Sequence, residues 1–186
     1  MLLVFLSSSV PAISGGVKTF GNDALFISGA IASIGIHELG HAAAIELVGG
    51  HVENIELFNN GILSAATYGN INELSPRKQQ FVFAAGLLTT SMFSEVVIQT
   101  KSLHHNAFAQ GVLAWSLVSN IWHVKNFYFN RIEEGGWQGN DIDDYERVGG
   151  NPHILSAFLL GYSAWAMYRI NRNTGILPLI RINLSF

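Results

Sequence analysis

His37 and His41 stand four residues apart with Glu38 beside the first, in the run His37-Glu38-Leu39-Gly40-His41. On a helix, positions i and i+4 share a face about 6 Å apart, so both imidazoles can reach one Zn²⁺ at about 2.0 to 2.1 Å. Glu38 is then placed as a general base for the water that attacks a scissile carbonyl, the arrangement of a zinc peptidase. Two imidazoles and a carboxylate within five otherwise apolar positions would each cost several kcal/mol to bury without partners. Satisfied core histidines therefore account for the run less well than a metal does. A purely structural zinc fits less well too, because such sites usually take four protein ligands and carry no free carboxylate beside them. The flanks, Ala24 to Ile36 before the run and Ala42-Ala43-Ala44-Ile45 after it, are small and apolar and contain no proline. They place the metal site on a helix suited to the inside of a membrane.

Composition points the same way. Of 186 residues, 49% are hydrophobic and only 12% charged, with a mean hydropathy of +0.30, a balance that favours a polytopic membrane protein over a soluble globule. The absence of cysteine excludes both disulfides and a Cys-ligated zinc. A formal net charge of −3 without a basic run argues against a nucleic-acid partner. Glycine is abundant at 19 residues, which suits close helix packing in lipid.

The elements that must position the motif follow from the apolar runs. Four segments, Ala24–Val48, Gln80–Gln99, Ala107–Phe127 and Ile154–Ile170, are each near the ~20 residues a bilayer needs. The expected fold is all-α and polytopic, with about four transmembrane helices around an intramembrane zinc site and a small β-hairpin insertion. A metalloprotease-like core is expected over residues 23–172, preceded by a short apolar segment over 1–22 and followed by a tail over 173–186. Met1 to Ile13 lacks a basic start, and Val10-Pro11-Ala12 resembles a cleavage site placed too early for a signal peptide. That stretch reads as a short hydrophobic or re-entrant segment. Residues 49–58 and 61–68 read as two strands joined through Asn59-Asn60-Gly61, a strong hairpin signal. Ser75-Pro76 reads as an N-cap followed by proline at the first helical position. Alternating exits put the hairpin and the polar loop from Asn130 to Pro152 on one side, the side nearer His37 and His41. Lys and Arg divide five to five between the two sides, so orientation stays open. The four tryptophans, Trp115, Trp122, Trp137 and Trp165, suit interfacial belts.

A catalytic zinc usually takes three protein ligands and leaves a fourth position to water. Without cysteine, the third must come from Asp141, Asp143, Asp144, Glu133, Glu134 or the histidines 51, 104, 105, 123 and 153. By the topology above, His104 and His105 fall in the loop on the far side.

The run His37-Glu-Leu-Gly-His41-Ala, the Gly49-Gly50 pair with a hairpin behind it, and Ala84-Ala85-Gly86-Leu87-Leu88-Thr89-Thr90 together resemble site-2 protease-like intramembrane zinc metalloproteases, peptidase family M50. The resemblance spans roughly Ala24 to Gly150. It implies a Zn²⁺ cofactor, a membrane-protein or peptide substrate cut in or near a membrane-spanning segment, and an Asp beside Gly as third ligand. The setting it implies is a multi-pass integral membrane protein, as in a bacterial inner membrane. The chain departs from the family pattern in lacking a proline after Gly86, in having Thr90 where Asn is usual, and in offering Gly139-Asn140-Asp141-Ile142-Asp143-Asp144 in place of a Leu-Asp-Gly-Gly-like stretch. Asp141 is favoured because Gly139 allows a tight approach. Asp144, one turn further on, could ligate instead or support Asp141. Alternatively, Asn140 and Asp141 only cap a helix. His51 and Asn54 in the hairpin, and Asn120, are candidates for touching substrate; Asn120 serves equally as interhelical glue. The hairpin edge could hold a peptide extended. Two other classes compete: a non-catalytic protease-like membrane protein that regulates a client, and a membrane di-iron oxidase using His37, His41, His104, His105 and His123.

Overall fold

A computed structural model of the chain describes residues 16–58, 65–130 and 140–172. Along these the order is α1 (Gly16–Leu47), β1 (Val52–Leu57), β2 (Ala65–Gly69), α2 (Pro76–Gln99), α3 (Ala107–Phe129), α4 (Asp141–Arg147) and α5 (Pro152–Arg172), with single 3₁₀ turns at Ile71–Glu73 and Lys101–Leu103. The mostly helical fold with one small hairpin agrees with the expectation. The proposed hairpin turn at Asn59-Asn60-Gly61, most of the N-terminal segment and the tail lie outside the described residues.

Local chemistry explains the boundaries. Within the described residues α1 already runs from Gly16, ahead of the expected Ala24, and no proline interrupts the intervening turns. It stops where Gly49 takes φ +85°. There the Gly49 amide donates to Glu46 O at 3.1 Å and the Gly50 amide to Ile45 O at 2.9 Å, a Schellman closure that needs a left-handed residue. Pro76 occupies the first turn of α2 as expected, although the Ser75 side chain makes no capping bond. At α3 the Asn106 side chain accepts from the Ala109 amide at 3.0 Å, satisfying one of the helix's orphan donors. The strands run antiparallel in the register Ile55 to Thr67 and Leu57 to Ala65, with an irregularity between Val52 and Asn54.

Among the described residues, one helix, α2, is long and apolar enough to cross a membrane. The expectation of four such helices is met by length alone in the others: α1, α3 and α5 have 32, 23 and 21 residues. Their polar side chains lower the apolarity, notably His37, Glu38 and His41 in α1 and Gln110, Asn120 and His123 in α3. The distribution of those side chains is informative. Ser33, Thr90, Ser91, Ser94, Ser116, Asn120 and Ser163 are buried, whereas Ile27, Met92, Val96, Ile121, Trp122, Phe158 and Trp165 point outward and exposed. Large apolar side chains thus cover the outer faces while small polar ones lie between helices.

The helices pack through those small residues. A Cβ on Gly29 of α1 would overlap the Phe108 carbonyl of α3, and one on Gly111 of α3 would overlap the Phe26 carbonyl of α1. Two glycines therefore let α1 and α3 cross backbone to backbone. Replacing Gly111 with Leu is expected to cost about 1–3 kcal/mol or more by overpacking, read as a lower midpoint in thermal unfolding. Gly161→Ala, at an open helical position, serves as the control and should not lower it. Asn120 binds α2, α3 and α5 together, donating from Nδ2 to Ser91 Oγ at 3.1 Å and Ser163 Oγ at 3.4 Å. Tyr162 donates to Ser91 O at 2.7 Å, and Arg169 pairs with Glu95 at 2.6 Å, fixing α5 on α2. The glycine crossing lies toward one end of the bundle; the later halves of α1 and α3, the start of α2, the hairpin and α4 meet at the other.

Candidate metal centre

One face of α1 delivers His37 and His41 at that second end, where their Nε2 atoms lie 3.0 Å apart. Asp141 Oδ2 is 2.8 Å from His37 Nε2 and 3.4 Å from His41 Nε2. The three side chains are only 11%, 9% and 14% exposed. Tetrahedral ligands about 2.0 to 2.1 Å from one ion lie about 3.4 Å apart, close to this spacing. His41 Nδ1 is 2.7 Å from the Val82 carbonyl, which can only accept; a proton therefore sits on Nδ1, and Nε2 is the nitrogen turned toward Asp141 and available to a metal. Asp141 Oδ2 is buried and makes no well-formed hydrogen bond despite its short approach to His37. A carboxylate oxygen and two imidazole nitrogens converging on one point, with His41 anchored through its other nitrogen, is an arrangement that a cation between them would suit. Two imidazoles and a carboxylate suit zinc in particular.

Space for an ion comes from α2. A Cβ on Gly86 would overlap Nε2 of both His41 and His37, so only glycine leaves the pocket between the rings open. Gly40, within the motif, does the same for packing: a Cβ there would come within 2.6 Å of Thr89 Oγ1 and 2.9 Å of Ala85 O. Its smallness brings α2 against α1. The substitution Gly86→Ala is accordingly expected to weaken zinc binding by about tenfold or more, comparable to losing a supporting partner, while leaving the helices folded. Competition with a chromogenic chelator measures it.

Asp141 reaches the histidines because α4 is anchored on α3. Asn140 caps α4, its Oδ1 accepting from the Ile142 amide at 3.2 Å and from His123 Nδ1 at 3.1 Å. Its Nδ2 donates to the His123 carbonyl at 3.1 Å. The His123 ring in turn stacks on His37, with centroids 5.6 Å apart and planes at 19°. His37, His123, Asn140 and Asp141 thus form a closed ring of contacts. Burial alone would raise the Asp141 carboxyl; the imidazoles of His41, His37 and His123 outweigh it and hold the group well below the ordinary carboxylate range. Burial raises Asp144, with the guanidinium of Arg147 offsetting only part of the effect.

Glu38, 7% exposed, lies beside the ligand group and outside it. Thr67 on β2 holds it: the Thr67 hydroxyl is 2.9 Å from Glu38 Oε2 and 3.0 Å from Glu38 O. Thr67 does not stand out in the sequence, a Thr in an alternating strand being ordinary; Asn140, expected as a helix cap, is one, but its hold on His123 carries no sequence signal.

Among the described residues, His37, His41 and Asp141 form the one group able to hold a metal. Asp144 turns instead to Arg147, 2.8 Å away, and Asp143 is outside the group. His104 lies in the loop at the far end, its Nε2 3.0 Å from Ile98 O, with His105 next to it. His153 pairs with the Tyr128 hydroxyl at 2.7 Å. Of the five histidines a di-iron site would need, two join the group and one stacks behind it. His51 is exposed, 3.6 Å from Glu46, and Asn54 donates to Glu56 at 3.2 Å. Asn120 sits at the helix junction described above. Glu133, Glu134 and Trp137 lie outside the described residues.

A family model described as Peptidase M50B-like matches residues 18–131. That stretch contains the His-Glu-x-x-His run, the hairpin, α2 and α3, and ends before Asp141. No curated protein and no solved structure matches the chain.

Proposed function

The chain belongs to the Peptidase M50B-like family, and from that premise we propose that it is a membrane-embedded zinc metalloendopeptidase cutting a peptide bond in or near a membrane-spanning segment of its substrate. The observation that carries this is the meeting of His37 Nε2, His41 Nε2 and Asp141 Oδ2 beside a buried carboxylate, Glu38, that is not itself in the group.

On this reading α1, α2, α3 and α5 all cross the bilayer. Their lengths support it, as do apolar outer faces with polar side chains turned inward, since lipid rewards that arrangement and water penalises exposed apolar surface. His37, His41 and Asp141 hold the ion. Zinc held there would supply Lewis acidity toward the scissile carbonyl and the attacking water. Glu38 takes one proton from that water as its oxygen adds to the carbonyl carbon. It then gives the proton to the departing amine nitrogen as the C–N bond breaks. The Val82 carbonyl keeps His41 in the tautomer that presents Nε2, and Gly86 keeps the space before both rings clear.

The test uses the full chain purified in detergent and co-expressed with tagged single-span reporter proteins. About one zinc per chain by elemental analysis is expected, with reporter fragments whose cut sites map to the membrane segment. A chain without zinc overturns the proposal. Zinc without cleavage across the reporters favours instead a regulatory protein that keeps the protease architecture.

A further inference from the structure

Thr67 is 29 residues beyond Glu38 in the chain and pairs across the hairpin with Ile55. Its single hydroxyl proton has two acceptors within reach, Glu38 Oε2 at 2.9 Å and Glu38 O at 3.0 Å. The carboxylate is the stronger acceptor, because a hydrogen bond to a charged group is roughly twice as strong as a neutral one. Glu38 is nearly buried, so water competes little for the same lone pair. The hairpin is itself seated on α1: the Val52 amide donates to Glu46 Oε1 at 2.8 Å, and Val52 packs on the cluster of Ala44 and Ile45. A two-stranded hairpin is marginal alone and depends on that seat.

We infer that Thr67 is a positioning residue through which the β-hairpin holds the carboxylate of Glu38. The inference rests on the reading of Glu38 as general base. One carboxylate oxygen is tethered by the hydroxyl, and the other is left to take up the proton. A hairpin shifted by about an ångström would stretch the bond past hydrogen-bonding distance, so the base is in place only while the hairpin is seated on α1. Occupancy of the hairpin and readiness of the base are thereby linked.

The probe is acetohydroxamate binding to the zinc-loaded full chain, because a hydroxamate combines a metal-binding oxygen with an N–H or O–H that needs a nearby carboxylate. Thr67→Val removes the hydroxyl while keeping the shape. It is expected to weaken acetohydroxamate about tenfold, the scale of a bond to a charged group, with zinc content unchanged. Thr67→Ser should restore the affinity. In the Glu38→Gln background, Thr67→Val should add nothing, since it acts through Glu38. In metal-free protein, the losses in unfolding midpoint from Thr67→Val and Glu38→Ala, which removes the acceptor, should be less than additive. Wild-type affinity in Thr67→Val while Glu38→Gln is weakened overturns the inference, as do fully additive effects in both cycles. A wild-type chain that holds no zinc, or a Glu38→Gln variant that binds acetohydroxamate unchanged, counts against the proposed function instead.

Discussion

Glu38→Gln is expected to keep its zinc and lose its cleavage. Gln has nearly the shape of Glu and still offers an oxygen to the Thr67 hydroxyl, so the packing around it should survive. It cannot take a proton from water or return one to an amine. A general acid–base group contributes about 10²–10⁴-fold to rate, and turnover of the membrane reporters should fall by at least that range. Because Glu38 lies outside the ligand group, metal content should stay at the wild-type value. Undiminished turnover would remove Glu38 from the mechanism. Zinc lost together with activity would instead place Glu38 among the ligands.

The second large effect separates two aspartates one turn apart. Asp141→Ala should release the zinc, because it removes the carboxylate whose Oδ2 stands 2.8 and 3.4 Å from the two imidazole nitrogens. The loss of affinity should exceed the about 10–100-fold typical of an outer supporting residue. Asp144→Ala should hold zinc as the wild type does, since its carboxylate is spent on Arg147 at 2.8 Å. Elemental analysis of both variants, with thermal unfolding to show that each is folded, decides between them. Zinc retained by Asp141→Ala and lost from Asp144→Ala would reverse the assignment. The contrast has added value because the family match stops at residue 131, so Asp141 rests on the geometry of this chain.

The helix positions of the core were legible because apolar runs and their breakers act locally. Pro76 opens α2 with no help from distant contacts, whereas Gly49 and Gly50, expected at the start of the first strand, instead close α1, and the strands are confined to Val52–Leu57 and Ala65–Gly69. The alternation of helix directions also placed the hairpin and the acidic loop at one end, which the meeting of Thr67, Asp141 and the histidines agrees with. Four apolar segments were harder to judge as membrane spans. The side chains that make α1 and α3 interesting, His37, Glu38, His41, Asn120 and His123, are also the ones that lower their apolarity. Whether such groups face a bundle interior or a solvent depends on the neighbours they meet.

His37, Glu38 and His41 were determined by the sequence itself. Their spacing is a geometry once the segment is helical, because 3.6 residues per turn put positions four apart on one face whatever surrounds them. The sequence favoured Asp141 and left Asp144 open beside it; the meeting of Asp141 with the two histidines, the glycine that clears the space before the rings and the hydroxyl beside Glu38 came only with tertiary structure. Asp141, Gly86 and Thr67 come from three other elements and meet the motif through packing across tens of residues, for which no local period exists. Asp144 shows the same limit from the other side. It has the same chemistry as Asp141 and lies three residues away, yet the cap made by Asn140 on His123 turns one carboxylate to the histidines and leaves the other to Arg147.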